Sequence, residues 1–205
     1  MRYTRWSSDD MPVSYRQYYL QGDEFLDVYD DTDTVSRIFE GNSLAAGGPE
    51  HLTVYAGTHT GAIRLTTEQL PDVPPPPDEE WETAVDVSLY SSSGALWLTA
   101  WGGDVMDEAG NFAMAGPGWY RVRVRARGRD HGEAGTEDAV VEEHFLSVWA
   151  APAEPDVVHR AGDGFARAHY DPRRPPGLPV LPDDPTAFDD PETDDRTPVE
   201  VAGEG

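Results

Sequence analysis

The sequence predicts an all-β chain: an antiparallel β-sandwich or flattened barrel of about eight strands, followed by a disordered acidic C-terminal tail. Three observations predict it. Stretches of alternating apolar and polar residues recur at short spacing up to Trp149. Gly- and Pro-containing turns separate them, with no strong amphipathic helix in between. Tryptophan, tyrosine and valine are concentrated in the same part of the chain, as two packed sheets about 10 Å apart require. A single curved sheet with one helix is the alternative architecture.

The clearest strand is Gly118 to Asp130, GWYRVRVRARGRD. A period of two places Tyr120, Val122, Val124 and Ala126 on one face and Trp119, Arg121, Arg123, Arg125 and Arg127 on the other. The first row is expected to point into the core and the second out of it. With Arg129, this stretch holds five of the chain's fifteen basic residues, all arginine, in a protein of net charge -24.

Taken in order, residues 1–11 are polar and read as a flexible N-terminus. VSYRQYYL, Val13 to Leu20, reads as a first strand. FLDVYD, after the turn-like Gln21-Gly22-Asp23, reads as a second that pairs back, ended by Asp30, Asp31 and Asp33. That acidic cluster is not a calcium loop. An EF-hand starting at Asp31 would need an oxygen ligand at Val35, Gly at Ser36 and Glu beyond Glu40. Thr34 to Phe39 reads as one helical turn.

LTVYAG and AIRLTTEQL, joined at His59-Thr60-Gly61, read as a hairpin. Pro74 to Pro77 cannot donate to a ladder, so this run reads as a stiff surface connector. Residues 84–89 and 96–99, joined by SSSG, read as another hairpin. Gly102 to Gly116 is a loop carrying Asp104, Asp107 and Glu108, with a short strand at Asn111 to Met114. His131 to Glu137 is a polar loop, and Ala139 to Ala150 is the last long strand. Val157 to Ala168 has weak helical character. The sandwich therefore spans 12–152, an extension with a short helix 153–170, and the tail 171–205. From Asp171 to Gly205 there are ten acidic residues and three arginines. Such a composition cannot offset an ordering cost of about 1–2 kcal/mol per residue.

Composition excludes several functions. Without cysteine there is no disulfide, thiolate metal site or cysteine nucleophile, in keeping with a reducing compartment. No run approaches the ~20 apolar residues of a membrane span, and MRYTRWSSDDMPVS lacks a signal-peptide core, so a cytoplasmic protein is expected. A pI near 4.3 disfavours direct nucleic-acid binding and favours a basic protein partner. The six histidines form no HxH or HxxxH pair, Ser91 to Ser93 lie in a turn without a GxSxG elbow, and Gly162-Asp163-Gly164 lacks a dinucleotide loop's third glycine. No catalytic, metal or cofactor site is expected.

The arginine row would repel itself unless Glu142, Glu143, Asp86 and Glu82 lie opposite, each pair contributing about 0.2–1 kcal/mol. A salt-bridged outer face is the expectation; a binding surface with Trp119 as anchor is the rival. The VSYRQYYL strand, the mid-chain hairpin and the GWYRVRV strand closing near VWAAP resemble the ComJ family, bacterial competence-associated inhibitors of a DNA-entry nuclease. The EEHFLSVWAAP stretch is also similar to uncharacterised bacterial proteins. The ComJ resemblance covers Pro12 to Pro152 and implies a compact β domain that blocks a nuclease. The expected function is thus a non-enzymatic acidic binding or inhibitor protein for a basic partner such as a nuclease. Its candidate contacts are the arginine row with Trp119, and Asp30, Asp31, Asp33, Asp104, Asp107 and Glu108. The alternatives are a structural subunit of an assembly and an enzyme whose site only the fold assembles.

Overall fold

The structure is a computed structural model, which describes residues 4–22, 32–134 and 140–173; for 32–35 and 133–134 it describes the backbone alone. Ten strands form among them: β1 (Arg5–Ser14), β2 (Gln17–Gln21), β3 (Ala45–Gly47), β4 (His51–Tyr55), β5 (Thr60–Leu70), β6 (Thr83–Ser91), β7 (Trp97–Ala100), β8 (Gly118–Arg127), β9 (Glu143–Ala150) and β10 (Val157–Ala161). Two short helices, α1 (Thr32–Glu40) and α2 (Gly164–His169), accompany them. No helix is long and apolar enough to cross a membrane. The FLDVYD segment, Asp30, Asp31 and the tail beyond residue 173 lie outside the described residues.

The strands make one curled sheet in the order β10-β6-β8-β9-β5-β1-β2-β4-β3, with β7 on the other side of β2. This corrects the expectation of a strictly antiparallel fold, because β5 and β9 run parallel from Arg64↔Glu143 to Leu70↔Trp149. A parallel pair needs a long crossover. Here the crossover contains β6, β7 and β8, so β9 is antiparallel to β8 on one side and parallel to β5 on the other.

VSYRQYYL is two strands, not one. Tyr15 and Arg16 both have positive φ, 51° and 67°, forming a two-residue turn between Ser14 and Gln17. Such a turn usually selects Asn or Gly. Tertiary hydrogen bonds hold it instead: Arg16 N–H donates to the His59 carbonyl (3.0 Å), and Ala56 N–H donates to that of Arg16 (2.7 Å). Beyond it β2 leaves β1 and pairs with β4 and β7, bending the sheet. The far edge curls back until Glu50 N–H donates to Tyr90 (2.8 Å) and Tyr90 N–H to Gly48 (3.0 Å).

The core fills the concave side. Tyr120, Val122, Val124 and Ala126 of β8 are buried there, as expected, with Met11, Tyr18, Leu20, Leu52, Leu89 and Leu146. Each fully buried large side chain contributes about 1.5–3 kcal/mol.

Neither predicted hairpin forms, although its strands do. β4 pairs with β2 and β3, while β5 pairs with β1 and β9. β6 pairs with β8 and β10, while β7 pairs with β2. β1 begins at Arg5, inside the stretch expected to be loose, because its ladder to β5 fixes it from Arg5↔Glu68 onward. Asn111 is not in a strand; its side chain bonds Leu96 N–H, Ala113 N–H and the Gly94 carbonyl. In the extension, β10 takes the first half of the expected helix by pairing with β6, and Asp163 caps α2 through Ala166 N–H (2.8 Å).

The buried arginine row and the candidate interaction surface

The second row of β8 is not exposed. Arg121, Arg123 and Arg125 are 3%, 3% and 8% accessible, because the 71–82 connector and the 151–156 segment fold over that face. Each guanidinium therefore needs partners. Arg123 makes a two-pronged pair with Asp86, Nε to Oδ1 at 2.7 Å and Nη2 to Oδ2 at 2.9 Å. Its Nη1 donates to the carbonyls of Pro74 and Pro75, so the proline connector lies across the sheet. Arg121 donates to Ser88 Oγ and the Glu154 carbonyl, both 2.8 Å. Arg125 lies 3.8 Å from the Phe145 ring centre, donates to Ser147 Oγ and faces Glu68 at 3.6 Å. Arg127, at the rim, pairs with Glu143 (2.7 Å) and Glu80 (2.6 Å). Trp119 is half-buried, edge-on to Tyr90 with centroids 5.2 Å apart.

Burial pushes the Arg121 and Arg125 guanidiniums below their ordinary values. For Asp86, burial alone would raise the carboxyl; hydrogen bonds from Arg123 and His159 outweigh it and hold the group below its usual range. Asp86 and Glu143 are thus the cross-strand partners expected. Glu82 instead accepts from Gly128 N–H (2.8 Å).

Glu142 is not a partner of the row either. It lies inside the core, where Gly57 N–H (2.8 Å), Thr58 N–H (2.7 Å) and the Thr58 hydroxyl (2.7 Å) donate to it. His144 Nε2 is 2.8 Å from its Oε1, and His144 Nδ1 is 2.8 Å from the Tyr18 hydroxyl. Burial would raise the Glu142 carboxyl, but His144, Thr58 and Gly57 N–H bring it down to about 2. The carboxylate therefore accepts from His144 Nε2–H, leaving Nδ1 to accept from Tyr18 when the ring is neutral. Nearby, fully buried Arg129 donates to Asp163 (2.9 Å) and to the Ser43 carbonyl (2.7 Å). The Glu142 and His144 side chains have no exposure, and the chain they form with Tyr18 ties β2, β9 and the 56–58 loop together.

The remaining candidates lie apart from the arginine row. Asp104, Asp107 and Glu108 are exposed on the loop after β7. Asp33 sits on α1 with its side chain outside what is described. Among the described residues no three His, Asp or Glu side chains converge in a metal-binding group. The sequence reading missed the aromatic residues beside the acidic loop. Tyr15, 56% exposed on its turn, packs 4.6 Å from the Trp101 ring centre and 5.5 Å from that of His59. The only local signal was two bulky residues between Ser14 and Gln17, without the Gly that usually marks such a turn.

No protein-family model matches this sequence, and no curated protein matches it. In structure the chain is similar to ComJ from Bacillus subtilis, the inhibitor of the DNA degrading activity of NucA. The TM-score is 0.51 at 13% identity, over 74% of this chain and 100% of ComJ. The product of crocagin biosynthetic gene J is similar at a TM-score of 0.45 and 13% identity, over 73% of this chain and 99% of that one. The first likeness agrees with the ComJ resemblance of the strand pattern; at this identity it bears on the fold alone.

Proposed function

We propose that this chain is a non-enzymatic binding protein that docks on a basic protein and blocks it, a DNA-degrading nuclease being the partner class. One observation carries the reading. Among the described residues the buried charges balance, with Arg121, Arg123, Arg125 and Arg129 against Glu50, Asp86, Glu142 and Asp163. The conspicuous arginines are neutralised internally, so among the described residues the excess of negative charge lies outside the core. A field of that sign speeds encounter with a positively charged surface and repels nucleic acid. The shared fold with an inhibitor of a nuclease supports the same class of partner. The exposed carboxylates Asp104, Asp107 and Glu108 belong to the proposed contact, with Asp30, Asp31 and Asp33 as further members.

The test is capture from a lysate of the source organism on the tagged full chain, followed by elution with salt. The eluate is assayed for DNA degradation with and without added protein. A salt-released basic protein whose DNA degradation stops at a 1:1 ratio is the expected result. An eluate without nuclease, or a nuclease indifferent to the added chain, would refute it.

A further inference from the structure

We infer that a cavity where β5 and β9 end and β8 begins seats a tyrosine side chain of a protein partner, its ring inside the cavity and its hydroxyl donating to Gln69. The inference takes from the proposed function only that the partner is a protein.

The cavity holds about 90 Å³. The turn before β8 forms one side of it: the Tyr120 hydroxyl donates to the Gly116 carbonyl (2.6 Å) and accepts from Ala115 N–H (3.1 Å). Phe112, Tyr120, Val148 and Trp149 in its wall are at most 5% accessible. Pro71, Ala115 and Ala150 also line it and are exposed, so it opens to the surface. No charged residue lines it, which excludes an arginine, lysine or acidic side chain as the occupant, because a charge there would lose its hydration without a counter-charge. An apolar cavity of about 150 Å³ takes up benzene. This one is smaller but open on one side, so a single six-membered ring enters edge first while its stem stays at the mouth. Met114 in the wall is unbranched and adapts to the ring. Gln69 is what separates tyrosine from phenylalanine. It belongs to the wall and is 4% accessible; Nε2 donates to the Asn111 carbonyl (2.8 Å), which fixes the amide, and the buried Oε1 has no partner. The Tyr120 hydroxyl is already engaged, so Gln69 Oε1 is the side-chain acceptor left over, and a ring without a hydroxyl would leave it unpaired. A free phenol has too few atoms to be held tightly, whereas a tyrosine is delivered by the whole surface of its chain, as the aromatic anchors of protein interfaces are.

Three probes are titrated into the 15N-labelled full chain: p-cresol, which is the tyrosine side chain cut free at Cβ; toluene, its counterpart without the hydroxyl; and a blocked glycine pentapeptide with tyrosine at its centre. The Trp149 indole N–H signal, assigned with Trp149→Phe, and the Gln69 and Ala115 amide signals report the site. p-Cresol and the peptide are expected to shift them, with toluene at least about fivefold weaker than p-cresol. Gln69→Leu is expected to bring p-cresol down to the affinity of toluene while toluene still binds, which shows that the cavity survives. If that variant loses toluene too, the ratio of p-cresol to toluene on the wild type decides alone. Ala115→Trp, at the exposed rim, is expected to plug the mouth and abolish the shifts from every probe. Four results would each overturn the inference: no shift at Trp149 with p-cresol, toluene binding as tightly as p-cresol, Gln69→Leu binding toluene yet still preferring p-cresol about fivefold, or shifts that survive Ala115→Trp. Binding of p-cresol without binding of the peptide makes a free phenol the ligand and overturns the partner side chain. The two readings fail separately: full inhibition of the nuclease by Ala115→Trp removes the anchor alone, while peptide binding by a chain that inhibits no nuclease removes the proposed function alone.

Discussion

Replacing Arg123 by Gln removes a guanidinium whose every bond is internal. Asp86, 5% accessible, loses partners at 2.7 and 2.9 Å, and the carbonyls of Pro74 and Pro75 lose their donor. His159, 3.0 Å from Asp86, remains but does not reach the connector. Removing one member of a buried ion pair costs about 3–5 kcal/mol, most of it from the charge left behind. For a chain of this length each kcal/mol moves the melting temperature by roughly 2–4 °C, so a drop of roughly 6–20 °C is expected. Circular-dichroism melts at low and high salt are the assay. The loss is expected to persist in high salt, because a buried pair is little screened. Arg127→Gln is the contrast: at a rim with 37% side-chain exposure it should cost about 1 kcal/mol or less, and salt should shrink the loss. The double variant Arg123→Gln/Asp86→Asn should recover part of the single variant's loss, because the stranded charge is gone. An Arg123→Gln protein that melts at or above the wild-type temperature in low salt would refute the reasoning.

Asp156, bonded to Asn42 at 2.9 Å, has its carboxyl pushed by burial up to about 6, against the pull of Asn42, Arg121 and Arg37. The folded chain holds a proton that the unfolded chain releases near 3.9, so stability falls as pH rises from about 4 to about 6. Asp156→Asn should therefore raise the melting temperature near pH 8, by the equivalent of up to about 3 kcal/mol, and leave it nearly unchanged near pH 4. Glu142 has the opposite sign: its carboxyl, depressed to about 2, contributes stability above about pH 4 that is lost as pH falls towards 2. Glu142→Gln should lower stability at neutral pH by about 2–4 kcal/mol and flatten that acid decline, read by melts across pH. Gly57→Ala should cost about 2–4 kcal/mol in chemical denaturation, because its Cβ would lie 1.9 Å from the Arg129 carbonyl oxygen, a backbone atom that cannot turn aside.

Much of the fold was legible because strand patterning is local. The alternation in β8 identified both the strand and its core row. Partner choice was not legible: the gaps after β4 and β6 have hairpin length, yet the edges of β5 and β6 are occupied by β1, β9, β8 and β10, from far along the chain. The same limit hid the parallel pair. Alternation also says which residues share a face but not whether water reaches it. The row Arg121, Arg123, Arg125 looked exposed because arginine usually is, and nothing in GWYRVRVRARGRD announces that a proline connector crosses above it. Of the candidate contacts, Asp104, Asp107 and Glu108 could be read as exposed from their loop composition. Tyr15 could not, because its turn is imposed by the 56–59 segment rather than by its own residue type.

The parallel ladder between β5 and β9 has a bearing on how the chain is made. Arg64 pairs with Glu143, so one side of β5 has no permanent neighbour until 79 more residues have been synthesised. At about 5–20 residues per second that interval is roughly 4–16 s. Throughout it, an 11-residue strand already paired with β1 offers a row of unpaired N–H and C=O groups to any other extended chain. The nascent protein is thus most exposed to mispairing before β9 emerges. Slowing translation between residues 70 and 143 should increase aggregation, whereas slowing it after residue 150 should not, although the finished protein is the same molecule in both cases.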